Sequence, residues 1–448
     1  MRIRRFCTSK LHGYLSLEIK FHDDLTFLTG INGSGKTSVV RLISALLSHS
    51  LFDLATIQYS HVAVDVEIAG QVITISADNK DGKLSYTNSQ SKEPLRVPVM
   101  APEDLDQSPD GIDKAVTFYR EQETLHANHQ SLATLVNLPP PMLLGIARRA
   151  TDPTSRDRNW RFFHRPRSSP FATTNSLSAS LLEAASLAEY NYHLVQARQL
   201  EATDRLRQKM ILTLFSFEPP SNLIQPWTLK DIVTRKTDIS DTLTRLGIPR
   251  QQVEEQVNPF FDRLKTISDR LPSSETVDNI RKRNDPEASR VLIDWLLSQP
   301  NVERINRLIA LVDSYIDTYE KEAFPIQSYL SIVNRFLKDS GKQLQFDNAG
   351  RLQVLITNAS PIPVTSLSSG ESQILVIITH LAFNPAARSA NVFIVDEPEL
   401  SLHIAWQEIF VQAVQAASPT MQLILATHSP SIILDRTDKC IDLTESRV

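Results

Sequence analysis

Glycine is scarce in this chain, with 12 among 448 residues. The shortage excludes collagen-like and glycine-linker architectures. It also makes each glycine informative, because the residue is needed where backbone turns left-handed or comes close to a ligand. Cysteine is scarcer still. The two present, Cys7 and Cys440, rule out a disulfide scaffold and suit a reducing compartment. Both lie in apolar, strand-like segments and are expected to be buried free thiols. There is no run of about 18 apolar residues and no signal peptide, so a soluble, cytoplasmic protein with no membrane partner is expected. Positive charge is not in excess: 47 Lys and Arg face 51 Asp and Glu, for a formal net charge of −4. Any binding to nucleic acid therefore needs a local patch, not the field of the whole molecule.

What is present reads as an α/β protein of two or three domains. Alternation in Leu15, Leu17, Ile19 and again in Val62, Val64, Val66, Ile68 predicts half-buried antiparallel strands. Val72–Ile75 adds another strand, and Asp81-Gly82 is a hairpin turn. From about residue 100 the character changes. Proline-rich joints (Pro139, Pro140, Pro141; Pro219, Pro220) separate stretches of helical period, notably 177–214 and 301–337. Strands return at 344–346 and 352–356, followed by helix 372–383, strand 391–395, helix 404–417 and strand 422–426. The division expected is 1–95, 96–340 and 341–448: an α/β domain interrupted by a large, mainly helical insert. The insert shows no sustained heptads, so no long coiled-coil arm is expected.

The run Gly30-Ile31-Asn32-Gly33-Ser34-Gly35-Lys36-Thr37 lies between a predicted strand (Leu25, Phe27, Leu28) and a predicted helix (Ser38 to Leu47). That is a P-loop in its proper context. Phosphate charge must be met at short range. Glycines let backbone N–H groups curl around it, a lysine reaches the β- and γ-oxygens, and a hydroxyl holds Mg²⁺. Gly30, Asn32, Gly33, Ser34, Gly35, Lys36, Thr37 and Ser38 are therefore the candidate ATP-binding residues, with Thr37 on the metal.

Val392-Phe393-Ile394-Val395 is wholly apolar, as a strand in a parallel sheet covered on both faces must be. It ends in Asp396 and Glu397, the Walker B pattern. Asp396 is placed to hold Mg²⁺ beside Thr37, and Glu397 to orient or deprotonate the attacking water. Ligand sites collect at this end of such sheets. Gln58 is a candidate Mg²⁺ contact or, as readily, a polar residue on a strand edge. Ser366-Leu367-Ser368-Ser369-Gly370-Glu371 opens the helix that carries Ile374, Leu375, Ile377 and Ile378. Taken alone it is either a cap with Glu371 in the first turn or an anion site made of free N–H groups and the helix dipole.

With these motifs in this order, the chain resembles the ABC-type ATPase heads of the RecF, SMC and OLD class over roughly residues 1–90 and 340–448. The resemblance implies a head with a mixed sheet and a P-loop core. It implies that Ser368, Ser369, Gly370 and Glu371 form the signature motif, acting in trans on ATP held by another copy. ATP is then sandwiched in a head-to-head dimer or a higher homo-oligomer. Glu399-Leu400-Ser401-Leu402-His403 is similar to the D-loop of OLD-like ATPases. Ala426-Thr427-His428-Ser429-Pro430 is similar to the switch-histidine segment. His428 then reads the γ-phosphate and joins Glu397 and Lys36 as a catalytic residue. The alternative is a histidine that merely satisfies backbone groups at a strand end.

Residues 148–167 hold Arg148, Arg149, Arg156, Arg158, Arg161, Arg165 and Arg167 against Asp152 and Asp157, with Trp160, Phe162, Phe163 and His164 interleaved. Arginine forks among aromatic faces suit nucleic acid or an acidic protein surface. A solvated loop with internal ion pairs is the plainer reading. OLD-like nucleases carry a Toprim domain after the ATPase, whereas here 20 residues (448 − 428) follow His428. No zinc cluster, Ser-His-Asp set or second acidic set is visible. The expectation is an ATPase without nuclease activity, with any destructive chemistry on a separate partner chain.

Stand-alone heads with the run Asp396-Glu397-Pro398-Glu399-Leu400-Ser401-Leu402-His403 resemble ATPase subunits of bacterial antiphage systems, first the PARIS type and next the Septu type. The former implies a homo-oligomer that holds a Toprim-type toxin nuclease and frees it on sensing a phage trigger protein. The latter implies an HNH nuclease partner. The rival is a RecF-like DNA-repair ATPase that uses the arginine segment on DNA.

Overall fold

The computed structural model describes residues 1–91, 93–100, 109–133, 141–144, 150–151, 176–215, 229–245, 247–270, 286–400 and 402–445. The chain forms two units, Met1–Tyr192 with Gln327–Val448, and His193–Ile326.

The first unit is built on two six-stranded sheets. One is antiparallel, in the order β2-β1-β4-β5-β6-β7, and comprises β1 (Arg2–Leu11), β2 (Leu15–Lys20), β4 (His61–Ile68), β5 (Gln71–Lys80), β6 (Lys83–Asn88) and β7 (Leu95–Pro98). Its strands bury alternate residues: Leu15, Leu17 and Ile19 are inside while Glu18 and Lys20 are exposed. Asp81 and Gly82 turn β5 into β6 with φ of 50° and 67°, a type I′ pair whose twist matches the strands.

The other sheet has the order β15-β3-β14-β13-β8-β9. It contains β3 (Leu25–Thr29), β8 (Met142–Leu144), β9 (Ala150–Thr151), β13 (Val392–Asp396), β14 (Gln422–Ala426) and β15 (Cys440–Asp442). β15, β3, β14, β13 and β8 run parallel. Every residue of β13 and β14 is buried, which is why neither shows alternation. A small third sheet joins β10 (Lys342–Phe346), β11 (Leu352–Ile356) and β12 (Ile362–Pro363).

Helix α1 (Lys36–Ser48) packs against β4 and β5 of the first sheet and β8, β13 and β14 of the second. Its Val39, Val40, Leu42, Ile43 and Leu46 are fully buried, each worth about 1.5–3 kcal/mol by apolar transfer. The two sheets are also tied by Gln422 at the start of β14. Its buried amide accepts from Ile3 N–H at 2.7 Å and donates to the carbonyls of Ile3 (2.9 Å) and His22 (2.8 Å).

In the second unit, helices of 17 and 21 residues, Leu229–Arg245 and Arg250–Arg270, form a hairpin around Ile239, Phe261 and Leu264. Two longer helices enter this unit, Ser176–Leu214 with 39 residues and Pro286–Leu337 with 52, about 58 and 78 Å at the α-helical rise. They run antiparallel where Arg198 pairs with Glu322 at 3.1 Å and Thr203 meets Tyr315 at 3.0 Å.

Three expectations need correction. The insert does not begin at residue 96 as far as the sheet is concerned: Met142, Leu143 and Leu144 pair in parallel with Phe393, Ile394 and Val395. A three-residue strand after three prolines is too short to carry a period. Long helical arms do exist, and heptads miss them because the contacts between them include polar pairs and not an apolar seam alone. The cysteines are half-buried, not buried, with burial pushing both thiols up. The joints at Pro139–Pro141 and Pro219–Pro220 lie largely outside the described residues, and so does the whole arginine segment: Arg148, Arg149, Arg156, Arg158, Arg161, Arg165 and Arg167. Among the described residues no helix is long and apolar enough to cross a membrane.

Candidate functional site

Four parallel strands bring their carboxyl ends to one edge of the second sheet. From there β3 runs into the P-loop, β13 into Asp396-Glu397, β14 into Thr427-His428, and β15 ends at Asp442. The register sets Asp396 beside Ala426 and Asp442 beside Thr29.

Gly30, Gly33 and Gly35 take φ of 136°, 83° and 95°, values that favour glycine. A Cβ on Gly30 would stand 2.8 Å from Ser34 Oγ, whereas beside Gly33 nothing lies within 4 Å. Ile31, Asn32 and Gly33 form the exposed tip. Lys36 is 5% exposed, and its Nζ donates to the carbonyls of Gly30 (3.1 Å) and Ile31 (3.3 Å). Burial lowers the affinity of that ammonium for its proton, opposed by Glu397, Asp396, Glu399 and Asp442. Ser38 at the first turn of α1 meets His12 Nε2 at 2.7 Å. Gln58 is exposed, and its backbone carbonyl accepts from the His12 backbone N–H at 2.8 Å.

Asp396 is 5% exposed. Burial pushes its carboxyl up, while the Thr37 hydroxyl and Lys36 pull the other way. Asp396 Oδ1 and Ser34 Oγ are buried without a hydrogen-bond partner. Such groups are costly unless something outside the chain satisfies them. The oxygen set of Thr37 and Asp396 fits a hard divalent cation, and the open space at Gly33 with the buried Lys36 fits phosphate. These residues thus suit Mg²⁺ and a nucleotide. Among the described residues no group of three or more His, Cys, Asp or Glu could hold a metal by itself.

Glu397 has φ of 52°, and its N–H donates to Ala426 O at 2.9 Å. Its carboxyl is pushed up to about 7 by burial, then by the like charges of Glu399 and Asp396. His428 Nε2 lies 3.4 Å from Glu397 Oε1. Glu399 accepts from Thr427 Oγ1 at 2.8 Å and from His428 N–H at 2.6 Å. Lys36, Thr37, Asp396, Glu397 and His428 therefore meet at one edge.

Two acids that sequence reasoning did not single out join them. Glu399 was noted only as the first residue of a loop pattern. Asp442 stands 3.4 Å from where a Gly30 Cβ would be, at the end of a three-residue strand too short to read.

The signature segment is elsewhere. Ser368 caps α2 (Ser369–Phe383) in a capping box: its Oγ accepts from Glu371 N–H at 3.3 Å, and Glu371 Oε2 accepts from Ser368 N–H at 2.8 Å. The Glu371 side chain is 3% exposed and ion-paired to Lys342 at 2.8 Å, and it accepts from Ser340 Oγ at 2.9 Å. Burial alone would raise this carboxyl, but Lys342, Ser368 and Ser340 outweigh it and hold it below its ordinary range. Within its own copy Glu371 is thus spent on the cap, on Lys342 and on Ser340. Ser368 and Ser369 are exposed. Gln373 Nε2 donates to Pro398 O at 3.1 Å, which ties α2 to the turn after Glu397. In the loop pattern that follows, His403 caps α3 (Ile404–Ala417), and Ser401 lies outside the described residues.

The family model described as "AAA domain, putative AbiEii toxin, Type IV TA system" matches residues 231–435, which hold the signature segment, the acid pair and His428. The "Retron Vc95 probable ATPase" of Vibrio cholerae serotype O1 biovar El Tor is 28% identical over 203 residues, 42% of this chain and 38% of that protein. The "DNA double-strand break repair Rad50 ATPase" of Saccharolobus solfataricus is 29% identical over 131 residues, 29% of this chain and 13% of that protein. The chain therefore spans well under half the length of these curated relatives. A solved Smc head domain from Pyrococcus furiosus aligns with 96% of this chain and 91% of its own, at a TM-score of 0.38 and 14% identity. One from Thermotoga maritima aligns with 97% and 91%, at 0.36 and 10%. Residues 231–435 thus match an AAA-domain model, and the chain is similar in sequence to a retron ATPase and to a Rad50 ATPase.

Proposed function

We propose that this protein binds ATP with Mg²⁺, hydrolyses it between two engaged copies, and serves as the sensor subunit of a bacterial antiphage system of the PARIS type. The observation that carries the hydrolytic reading is the meeting of Lys36, Asp396, Glu397 and His428 at one sheet edge, with Glu397 near neutrality. A general base works best when its pKa lies close to the working pH. Lys36 leaves the carbonyls of Gly30 and Ile31 for the β- and γ-phosphates, Glu397 orients the attacking water, and His428 sits beside Glu397 where the γ-phosphate ends. Thr37 and Asp396 would hold Mg²⁺, which neutralises charge on the phosphates when bound. Ser368, Ser369 and Gly370 of a second copy close the site, which agrees with the exposure of both serines. Glu371 only holds that helix start in shape.

The defence role is supported by the similarity to a retron ATPase and to a toxin-system AAA domain. In that role the protein holds a separate toxin nuclease and frees it on sensing a phage trigger. A Septu-type arrangement with an HNH nuclease differs only in the partner. The similarity to Rad50 favours a second reading, an ATPase that acts on DNA in repair.

Native mass spectrometry of the protein purified from its own operon separates them. A stoichiometric complex with a nuclease-sized chain supports the sensor reading. A bare dimer whose turnover rises with DNA and falls steeply with salt replaces it with the repair reading. Glu397→Gln is expected to trap the ATP-bound oligomer and Lys36→Ala to prevent it. Equal oligomer size in both variants, with and without ATP, would overturn the ATP-driven engagement.

A further inference from the structure

We propose that Glu399 is a positioning residue for hydrolysis, clamping the His428 segment to the turn after β13 so that the imidazole faces Glu397. This rests on the ATPase reading above. The clamp is a short chain of directed hydrogen bonds. One carboxylate oxygen of Glu399 takes the Thr427 hydroxyl at 2.8 Å and the other takes the His428 N–H at 2.6 Å. Thr427 is fully buried, and its Oγ1 in turn accepts from Ser429 N–H at 3.0 Å. Ser429 Oγ then donates to Gln407 Oε1 at 2.5 Å. Three consecutive residues after β14 are thus held from one side, and all the anchors lie within the stretch 399–407.

Holding the fold does not require this arrangement. β13 and β14 remain paired through Asp396 and Ala426, and Glu397 N–H bonds Ala426 O. His428 is exposed enough for its N–H to find water, so Glu399 decides direction more than stability. Charge argues the same way. A third carboxylate close to Asp396 and Glu397 adds like-charge repulsion. A chain that only needed an acceptor there could use a neutral one. An ionised acceptor makes the shorter and stiffer hydrogen bonds, and stiffness is what keeps His428 Nε2 at 3.4 Å from Glu397.

The test uses the full chain and four substitutions: Glu399→Ala, Glu399→Gln, Thr427→Val and His428→Ala, with the double variant Glu399→Ala/His428→Ala. Loss of charge-assisted hydrogen bonds predicts that Glu399→Ala lowers kcat roughly ten- to a hundredfold, with KM for ATP changed by no more than about threefold. Glu399→Gln, which keeps one acceptor oxygen, recovers part of that loss, and Thr427→Val loses less than Glu399→Ala. If Glu399 acts through His428, Glu399→Ala costs no further rate in the His428→Ala background.

Hydrogen exchange of the 427–429 amides, measured without nucleotide, is expected to quicken in Glu399→Ala. Multiplicative losses in the double variant, a rise in KM alone, or unchanged exchange each overturn the proposal. If the unaltered protein shows no turnover, the ATPase reading fails by itself. The clamp is then decided by exchange: faster exchange keeps it and unchanged exchange removes it.

Discussion

The P-loop and the start of α2 both set glycine and hydroxyls at the N-terminus of a helix, yet they use those groups differently. At α2, Ser368 and Glu371 satisfy one another, and Glu371 also takes Lys342 and Ser340. At α1 the cap residue Gly35 makes no side-chain bond, Ser34 Oγ and Asp396 Oδ1 are left buried without partners, and Lys36 rests on the carbonyls of its own loop. A helix start whose polar groups are spent internally is a piece of architecture, and one that leaves them unspent is poised for a ligand. Under the proposed function, the unspent start of α1 is the part that binds nucleotide and the start of α2 is the part offered to another copy.

The largest effect should come from the unspent side. Lys36→Ala is expected to lower ATP turnover by roughly 10²–10³-fold, the usual cost of losing one buried donor to developing charge, and to weaken nucleotide binding. Glu397→Gln is expected to lose turnover on the same scale while keeping nucleotide. Phosphate release and fluorescent-nucleotide binding read the two apart. Loss of binding in Glu397→Gln would break the division between holding and hydrolysing residues.

The spent side should fail as structure. Glu371→Ala leaves Lys342 without its partner and removes the carboxylate half of the capping box, at a cost of about 3 kcal/mol in stability, read as a lower urea midpoint. Its contribution also has a pH signature. A carboxyl held below its ordinary value in the fold stabilises above the unfolded pKa, and that contribution is lost as pH falls through the lowered value. Undiminished stability with lost turnover would make Glu371 a ligand after all.

How much of this was legible depended on length and periodicity. The helix over 404–417 and the strand over 422–426 were readable to the residue, because an apolar period in one and an unbroken apolar run in the other leave little choice. The P-loop was readable because its chemistry fixes its spacing. β8 and β15, of three residues each, offer too few positions for any period, so the sheet's reach to Met142 and the acid Asp442 went unseen. Glu371 was visible, but its role was not. A capping box and an anion site share one pattern, and only the burial of Glu371 against Lys342 separates them. Glu399 was hidden in a loop whose bonds reach across to the next strand. Sequence shows which groups are present at a helix start, and packing decides whether they are already spent.

A smaller effect is set by Glu397. With its carboxyl near 7 in the nucleotide-free protein, the base is protonated below neutrality, so kcat/KM should fall toward tenfold per pH unit below about 7. The same raised value means that, for this group, the fold loses stability as pH rises from the unfolded carboxyl value toward 7. A flat kcat/KM between pH 6 and 8 would show that burial and the nearby Glu399 and Asp396 do not set the protonation of Glu397 in the free enzyme. It would also leave Glu397 no different from an ordinary surface carboxylate.

The smallest effect tests the contrast at the level of backbone. Gly33 and Gly82 take φ of 83° and 67°, and beside each nothing lies within 4 Å of an added Cβ. Alanine at either position pays the left-handed strain, about 1 kcal/mol, so thermal stability should drop by similar small amounts. Only Gly33 borders the space between Lys36 and the loop tip where phosphate fits. Gly33→Ala should therefore weaken nucleotide affinity several-fold, while Gly82→Ala, in the hairpin between β5 and β6, leaves it unchanged. Equal affinity in both variants would mean that the open face at Gly33 is only solvent, and that the P-loop grips phosphate from the Lys36 side alone.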